Sequence, residues 1–474
     1  MMGRTTTFAT LLLALTACLF FSPAVSAQAG VTTHTGTLPD GATYLIEVPA
    51  NWNHTLFLYS HGYVEPGAAN PAADVGDPVT RAFMLASGYA LAGSSYATTG
   101  WAIQQALPDQ IAVLDIFRVA VGHPERTIAW GHSLGGMVTA GLIQRYPERF
   151  DAALPMCGVV SGGVATWNTA LDSAFAFKTL LAPGSGLQVV NITNPTANLN
   201  LSEDYLYAAQ QTAQGRARIA LSAALGNLPG WFTPTSPEPA PTDYASQEAN
   251  QFLWEQQVDF PFVFAFRAEL EARAGGNVSW NAGVDFRQQL AKSIDQAEVF
   301  ALYEAAGLDL NSDLETLNRA ARISADPPAF EYLLRNITFD GQINIPVLTL
   351  HTKGDGLVVV ENESAYKHVI DEVGNGELLR RDFIDRAGHC AFTPAETVTA
   401  VEKLVDRLDT GSWHEPLASE LNATATALGP AFNIYATSTG VVAAPPAFID
   451  FIPGPYLRPF DLVTFGLGGG PNSW

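Results

Sequence analysis

The sequence predicts an α/β architecture: a mostly parallel sheet with helices on both faces, a large helical block inserted after the sixth strand, and an irregular C-terminal extension. Two observations predict it. Short apolar segments of strand character alternate with segments of helical period from Val31 to Met156, and strand character returns at Ile345–Leu350. Between about residues 165 and 340 strand signals vanish and helical patterning runs almost throughout.

In order along the chain, Val31–Thr37 and Tyr44–Val48 read as strands joined through the turn residues Pro39-Asp40-Gly41. Thr55–Tyr59 is a third strand, Val79–Ala86 a short helix and Tyr89–Gly93 a fourth strand. Leu107, Ile111, Leu114, Phe117 and Val121 recur at helical spacing, with Pro108 tolerated in a first turn. Thr127–Trp130 suits a buried strand, Met137–Tyr146 a helix halted by Pro147, and Ala152–Met156 the sixth strand. The inserted block shows helical patterns over Asp172–Leu181, Asp204–Leu225, Tyr244–Ala272 and Ala329–Arg335, with a Pro-rich connector at Leu228–Pro241. Beyond it, Ile345–Leu350 and Leu378–Ile384 read as strands. Thr393 and Glu396 fit a capping box around Pro394, opening a helix whose Val398, Val401, Val405 and Leu408 share one face until Gly411. The expected organisation is a signal segment at 1–27, a core at 28–160 and 341–411, a helical cap at 161–340 and an extension at 412–474.

Composition narrows the function. A net charge of −22 makes nucleic acid and anionic membrane surfaces poor partners. The apolar run Phe8–Phe21 behind Arg4, followed by Ser22-Pro23-Ala24-Val25-Ser26-Ala27, reads as a secretory signal cleaved after Ala27 or Ala29. Leu15-Thr16-Ala17-Cys18 offers lipid anchoring through Cys18 as a second reading, and no other stretch is long and apolar enough to span a bilayer. An extracellular or periplasmic protein would retain Cys157 and Cys390, for which one disulfide is the expectation and two buried thiols the alternative. Seven Asn-x-Ser/Thr sequons, at Asn53, Asn191, Asn200, Asn277, Asn336, Asn362 and Asn422, suit an exposed, secreted surface.

The chemistry centres on Gly131-His132-Ser133-Leu134-Gly135-Gly136, a serine between small residues where a strand gives way to a helix. Glycines there permit a sharp turn that exposes the hydroxyl, and the following helix points its N-terminus at developing negative charge. A serine hydroxyl needs a base and a group to orient that base. Asp355 follows the strand ending at Leu350, and His389 follows Leu378–Ile384 in Arg386-Ala387-Gly388-His389-Cys390, so both emerge at the edge where Ser133 lies.

With these residues in the order Ser, Asp, His, the chain resembles secreted serine hydrolases of the α/β-hydrolase superfamily, esterase or lipase type, over about 31–160 and 343–408. The resemblance implies Ser133 as nucleophile, His389 as general base and acid, and Asp355 as the orienting carboxylate. It also implies an oxyanion hole from the amide of Leu134 and one from the loop Tyr59-Ser60-His61-Gly62-Tyr63, for which Tyr63 is the choice. Asp382 and Asp385 compete weakly for the carboxylate role, His132 and His61 read as packing or loop-shaping residues, and His351 and His368 lack the setting. No HExxH or paired Cys/His spacing suggests a metal, and no cofactor is expected.

Aromatic residues crowd the cap, and Gly93-Ser94-Ser95-Tyr96-Ala97-Thr98-Thr99-Gly100-Trp101 follows the fourth strand, so Tyr96 and Trp101 are the expected substrate contacts. The expected activity is hydrolysis of a neutral apolar or aryl ester, small or polymeric. The alternative is a serine exopeptidase of the same fold.

Overall fold

Burial along the chain explains the sheet. In the computed structural model, which describes residues 30–437 and 440–464, β1 (Val31–Thr37) and β2 (Thr43–Pro49) are partly exposed, while β3 (Thr55–Ser60), β4 (Ala90–Ser94) and β6 (Ala152–Met156) are buried throughout. Strands covered on both faces need continuous apolar runs, and these have them. With β5 (Arg126–His132), β7 (Val347–Gly354), β8 (Leu379–Ala387) and the short β11 (Phe448–Ile449), they form one sheet in the order β1-β2-β4-β3-β5-β6-β7-β8-β11. Strands β3 to β8 run parallel, and β2 and β11 are antiparallel to their inner neighbours. The signal segment and Cys18 lie outside the described residues.

After β3 the chain passes through α1 (Pro78–Ala86) to β4 on one side, then through α2 (Ile103–Ala120) to β5 on the other. The order therefore switches between β3 and β5, and their C-terminal loops diverge to leave a crevice. Helix α3 (Leu134–Arg145) starts at that crevice and is buried from Leu134 to Ile143. This is the α/β-hydrolase fold, a mixed, mostly parallel sheet of nine strands with helices.

Between β6 and β7 come α4 (Gly163–Leu181), α5 (Pro195–Gln210), α6 (Ala213–Leu225), α7 (Tyr244–Trp254), α8 (Arg267–Ala274), α9 (Phe286–Lys292), α10 (Gln296–Ala306), α11 (Leu310–Arg319) and α12 (Pro327–Arg335). Several boundaries differ from expectation: α4 opens at Gly163 and not at Asp172, and α2 opens at Ile103, which leaves Pro108 in its interior and not in a first turn. Asp204–Leu225 is two helices, because Thr212 caps α6 by accepting from the Gly215 amide, and Gly215 packs so tightly on Ala209 that a Cβ there would lie 1.9 Å from its carbonyl oxygen. Tyr244–Ala272 follows one helical path, but 255–259 and 262–266 are wound as wider π turns flanking Pro261, which lacks an amide hydrogen. Helix α13 (Asn362–Glu372) follows β7. The predicted capping box opens α14 (Pro394–Thr410), which ends at Gly411 with φ +74°.

Among the described residues the extension is irregular in part and ordered in part. It forms α15 (Ala418–Ala427), a hairpin of β9 (Ile434–Thr437) and β10 (Gly440–Ala443), and β11 at the sheet edge. Asn422 holds β11 in place through both its amide and its carbonyl, a long-range pairing that periodicity does not report. Farther on, Arg458 pairs with buried Asp172 of α4. Three sequons are also not surface features: Asn277, Asn336 and Asn362 are buried, and the side chains of Asn277 and Asn362 are consumed by internal hydrogen bonds.

Candidate active site

Strand β5 ends at His132 and α3 begins at Leu134, which leaves Ser133 on the turn with φ +59° and ψ −124°. A left-handed non-glycine residue costs about 1–3 kcal/mol and persists only where its surroundings impose it. They do so here: a Cβ at Gly131 or Gly135 would lie 2.4 Å or 1.9 Å from the Ser60 carbonyl oxygen, so only glycines let the elbow pack against β3.

Three side chains from three strand ends meet. His389 Nε2 lies 2.8 Å from Ser133 Oγ, and His389 Nδ1 lies 2.7 Å from Asp355 Oδ2. A carboxylate accepts, so Nδ1–H donates to Asp355 and Nε2 is left to accept from the Ser133 hydroxyl. The other oxygen of Asp355 accepts from the amides of Leu357 and Val358, which fixes the carboxylate. The histidine loop is tied three ways: the Gly388 amide donates to Gly354, Thr352 donates to the Gly388 carbonyl, and Cys390 forms a disulfide with Cys157 at the end of β6. Cys157, His389 and Cys390 sit close enough to suggest a metal set, but the two sulfurs are bonded to each other.

Behind Asp355 lies His351, which residue spacing passed over. Its Nε2 is 2.7 Å from the Val358 carbonyl and its Nδ1 3.0 Å from Glu363. Burial favours the neutral ring, but the hydrogen bond and charge of Glu363, with Asp355 nearby, outweigh it and raise the pKa above the ordinary histidine value. Both nitrogens facing acceptors fits a charged imidazolium that braces the 355–358 turn. Asp382 pairs with Lys403 and Asp385 faces Lys353, so neither reaches His389. His132, half-buried and 3.1 Å from the Tyr59 hydroxyl, is held neutral chiefly by desolvation, with a pKa of about 4.

The loop after β3 lies against the serine: a Cβ at Gly62 would sit 3.3 Å from Ser133 Cβ. The Tyr63 amide follows directly, and the Leu134 amide opens α3, where a first-turn N–H has no partner within the helix. His61 shapes this loop from below, through contacts with the Gly62 and Ser95 carbonyls.

The expected substrate contacts need revision. Tyr96 is 2% exposed, stacks on His61 at 4.0 Å and donates its hydroxyl to the His61 carbonyl, so it supports the loop from beneath. Trp101 is 5% exposed and packs edge-on to Trp167. Partly exposed rings do border the serine loop: Tyr63, Phe262 and Phe266 contact one another at centroid distances of 5.1, 5.3 and 6.0 Å. The π turn 262–266 presents both phenylalanines to Tyr63. Phe175, Phe177, Phe260 and Phe264 instead fill the interior of the insertion. Trp231 and Pro234 of the Pro-rich connector lie over Gly354 and Gly388 and roof the histidine loop.

Residues 92–179, from β4 into α4, match the prolyl oligopeptidase family. The chain is 30% identical over 440 residues to an o-phthalyl amidase of Xanthobacter agilis, covering 86% of this chain and 94% of that protein. Among solved structures, an esterase from Aspergillus oryzae is similar at 14% identity, 85% coverage of each chain and TM-score 0.40. Feruloyl esterase B from the same organism is similar at 12% identity, 81% coverage of each and TM-score 0.39.

Proposed function

Because the chain belongs to the α/β-hydrolase superfamily, in one family with the o-phthalyl amidase it matches, and is a serine hydrolase, we propose that it cleaves a neutral carboxylic ester with an aryl acyl group through a covalent acyl-enzyme. The observation that carries this reading is the continuous line of hydrogen bonds from Asp355 through His389 to Ser133. His389 takes the hydroxyl proton as Oγ attacks the carbonyl carbon, and Asp355 stabilises the imidazolium. The carbonyl oxygen becomes an oxyanion facing the amides of Leu134 and Tyr63, each such donor contributing about 2.7–4 kcal/mol in the transition state. His389 then protonates the leaving alcohol, and a water activated by the same ring releases the acid. The partly exposed rings of Tyr63, Phe262 and Phe266 support an aryl acyl group beside the reacting carbon.

Amide hydrolysis is the second reading, favoured by the relative whose name is o-phthalyl amidase. The same groups serve it, with His389 protonating a leaving amine. Measuring kcat/KM on p-nitrophenyl acetate, p-nitrophenyl benzoate and benzoyl p-nitroanilide separates the readings. We expect the benzoate to lead the acetate at least tenfold and Ser133→Ala to abolish all three; parity of acetate and benzoate would remove the aryl assignment, and an anilide rate near the ester's would favour the amidase. We also place the enzyme outside the cytoplasm, on the apolar run at 8–21 and on the Cys157–Cys390 bond, which suits an oxidising compartment. Mass spectrometry of the mature N-terminus tests this, a start at 28 or 30 supporting export and a lipidated Cys18 supporting anchoring.

A further inference from the structure

The π-wound segment that presents Phe262 and Phe266 to the serine loop also borders a second space. Asp259 and Val263 line a cavity of about 70 Å³ between the insertion and the turn after Asp355. That is several times the ~10–15 Å³ one water needs, so the cavity admits a group of a few heavy atoms. Thr169 and Ser173 of α4, Leu357 beyond Asp355 and Tyr456 of the tail also line it.

Its electrostatics are one-sided. Asp259 Oδ2 is buried without a hydrogen-bond partner, the neighbouring charges are those of Glu255 and Asp355, and none of the described residues lining the cavity is basic. Glu255, which accepts from the Ser222 hydroxyl through Oε1, also leaves Oε2 unpartnered. Burial first, and then these two like charges, push the Asp259 carboxyl well above its ordinary range. A carboxyl in that position gains most from a cation with several donors. An anion there would meet acids on three sides and no basic residue among those lining the cavity.

We propose that this cavity is a subsite for a small primary ammonium group, paired with Asp259 and donating its remaining hydrogens to the hydroxyl oxygens of Thr169 and Ser173. Ammonium has three donors and no acceptor, which matches this set. Thr169 donates its own hydrogen to the Ala165 carbonyl and also bonds the Tyr456 side chain, which leaves its oxygen one lone pair to accept from the ammonium.

Calorimetric titration of the whole protein tests this without reference to the reaction at Ser133. The probes are n-propylammonium chloride and 1-propanol, equal in heavy atoms, at constant ionic strength set with sodium chloride. We expect the ammonium to bind at least tenfold more tightly than the alcohol. Asp259→Asn should bring the two within twofold, and Ala170→Leu, which fills the cavity from α4 and keeps the carboxyl, should abolish ammonium binding in a protein whose circular dichroism is native. Equal affinity for the two probes, or a preference that survives Ala170→Leu, overturns the proposal. Displacement of propylammonium by potassium chloride at equal concentration also overturns it, by showing a site for bare cations.

Discussion

At the sheet edge the charged groups around the serine are partnered, whereas in the helical insertion several are not. Asp355 accepts from two amides and from His389, His351 lies between Glu363 and a carbonyl, and buried Glu396 receives Arg386 and the Thr393 and Ala447 amides. In the insertion, Glu248, Glu255, Asp259, Asp295 and Glu298 each keep a buried oxygen with no partner. Burial lifts the pKa of Glu248 to about 7, Glu255 to about 8 and Glu298 to about 9, the last also through Asp295. The difference teaches that the two regions solve different problems. The sheet edge holds one geometry ready for chemistry, and full hydrogen bonding is what removes its freedom. The insertion keeps these acids wholly or partly protonated near pH 7, which costs stability as pH rises and leaves them ready to ionise beside a cation.

The comparison breaks most visibly at Asp355. Asp355→Asn should lower kcat about 10⁴-fold with the fold retained, because an amide no longer selects the tautomer in which Nε2 accepts from Ser133. A loss under tenfold in stopped-flow turnover would mean the sheet edge is not organised as described. Next comes the disulfide, which closes a sequence separation of 233 residues onto the histidine loop. Cys157→Ala with Cys390→Ala should cost about 2–5 kcal/mol in chemical denaturation and lower turnover through the freed loop. Unchanged activity would show that Thr352 and the Gly388 amide hold the loop unaided.

His351→Gln removes one member of a buried charged pair and should destabilise by about 3 kcal/mol. The sign of its pH dependence follows from the raised folded pKa. The stabilisation is complete below the unfolded value near 6.5 and is lost as pH climbs through the folded value, so the variant's stability curve should be flatter across neutral to alkaline pH. In the insertion the pH dependence runs the same way, but the substitution should stabilise rather than destabilise. Glu298 binds its proton in the folded state up to about pH 9 but releases it near 4.5 when unfolded, so folding weakens with rising pH between those values. Glu298→Gln keeps an acceptor for the Gln251 amide and should gain stability at pH 8, with little change at pH 4. Equal gains at both pH values would show that the acid is not protonated in the fold.

Much of the site was legible because it is written locally. A glycine-flanked serine between an apolar strand and a helix reports its own backbone, Asp355 stands just beyond the apolar run Ile345–Leu350, and His389 just beyond the strand-like Leu378–Ile384. The tail strand β11 was not legible, since two residues carry no period and its place depends on Asn422. Tyr96 and Trp101 were misplaced for a related reason: an aromatic residue after a strand can point under a loop as well as into a cleft, and contacts with His61 and Trp167 decide which. Pro261 within a helical run was the one available signal for the π turns that bring Phe262, Phe266 and Asp259 to the site.

By itself, the sequence determined the succession of strands and helices, the strained serine turn and the two cysteines, because period and turn chemistry act between near neighbours. The tertiary structure decided that residues 256 positions apart share a hydrogen bond, that Cys157 reaches Cys390, and that acids on helical faces lack counter-ions. Those outcomes depend on how far strand ends diverge and what the insertion packs against, quantities that exist only once distant segments are in contact.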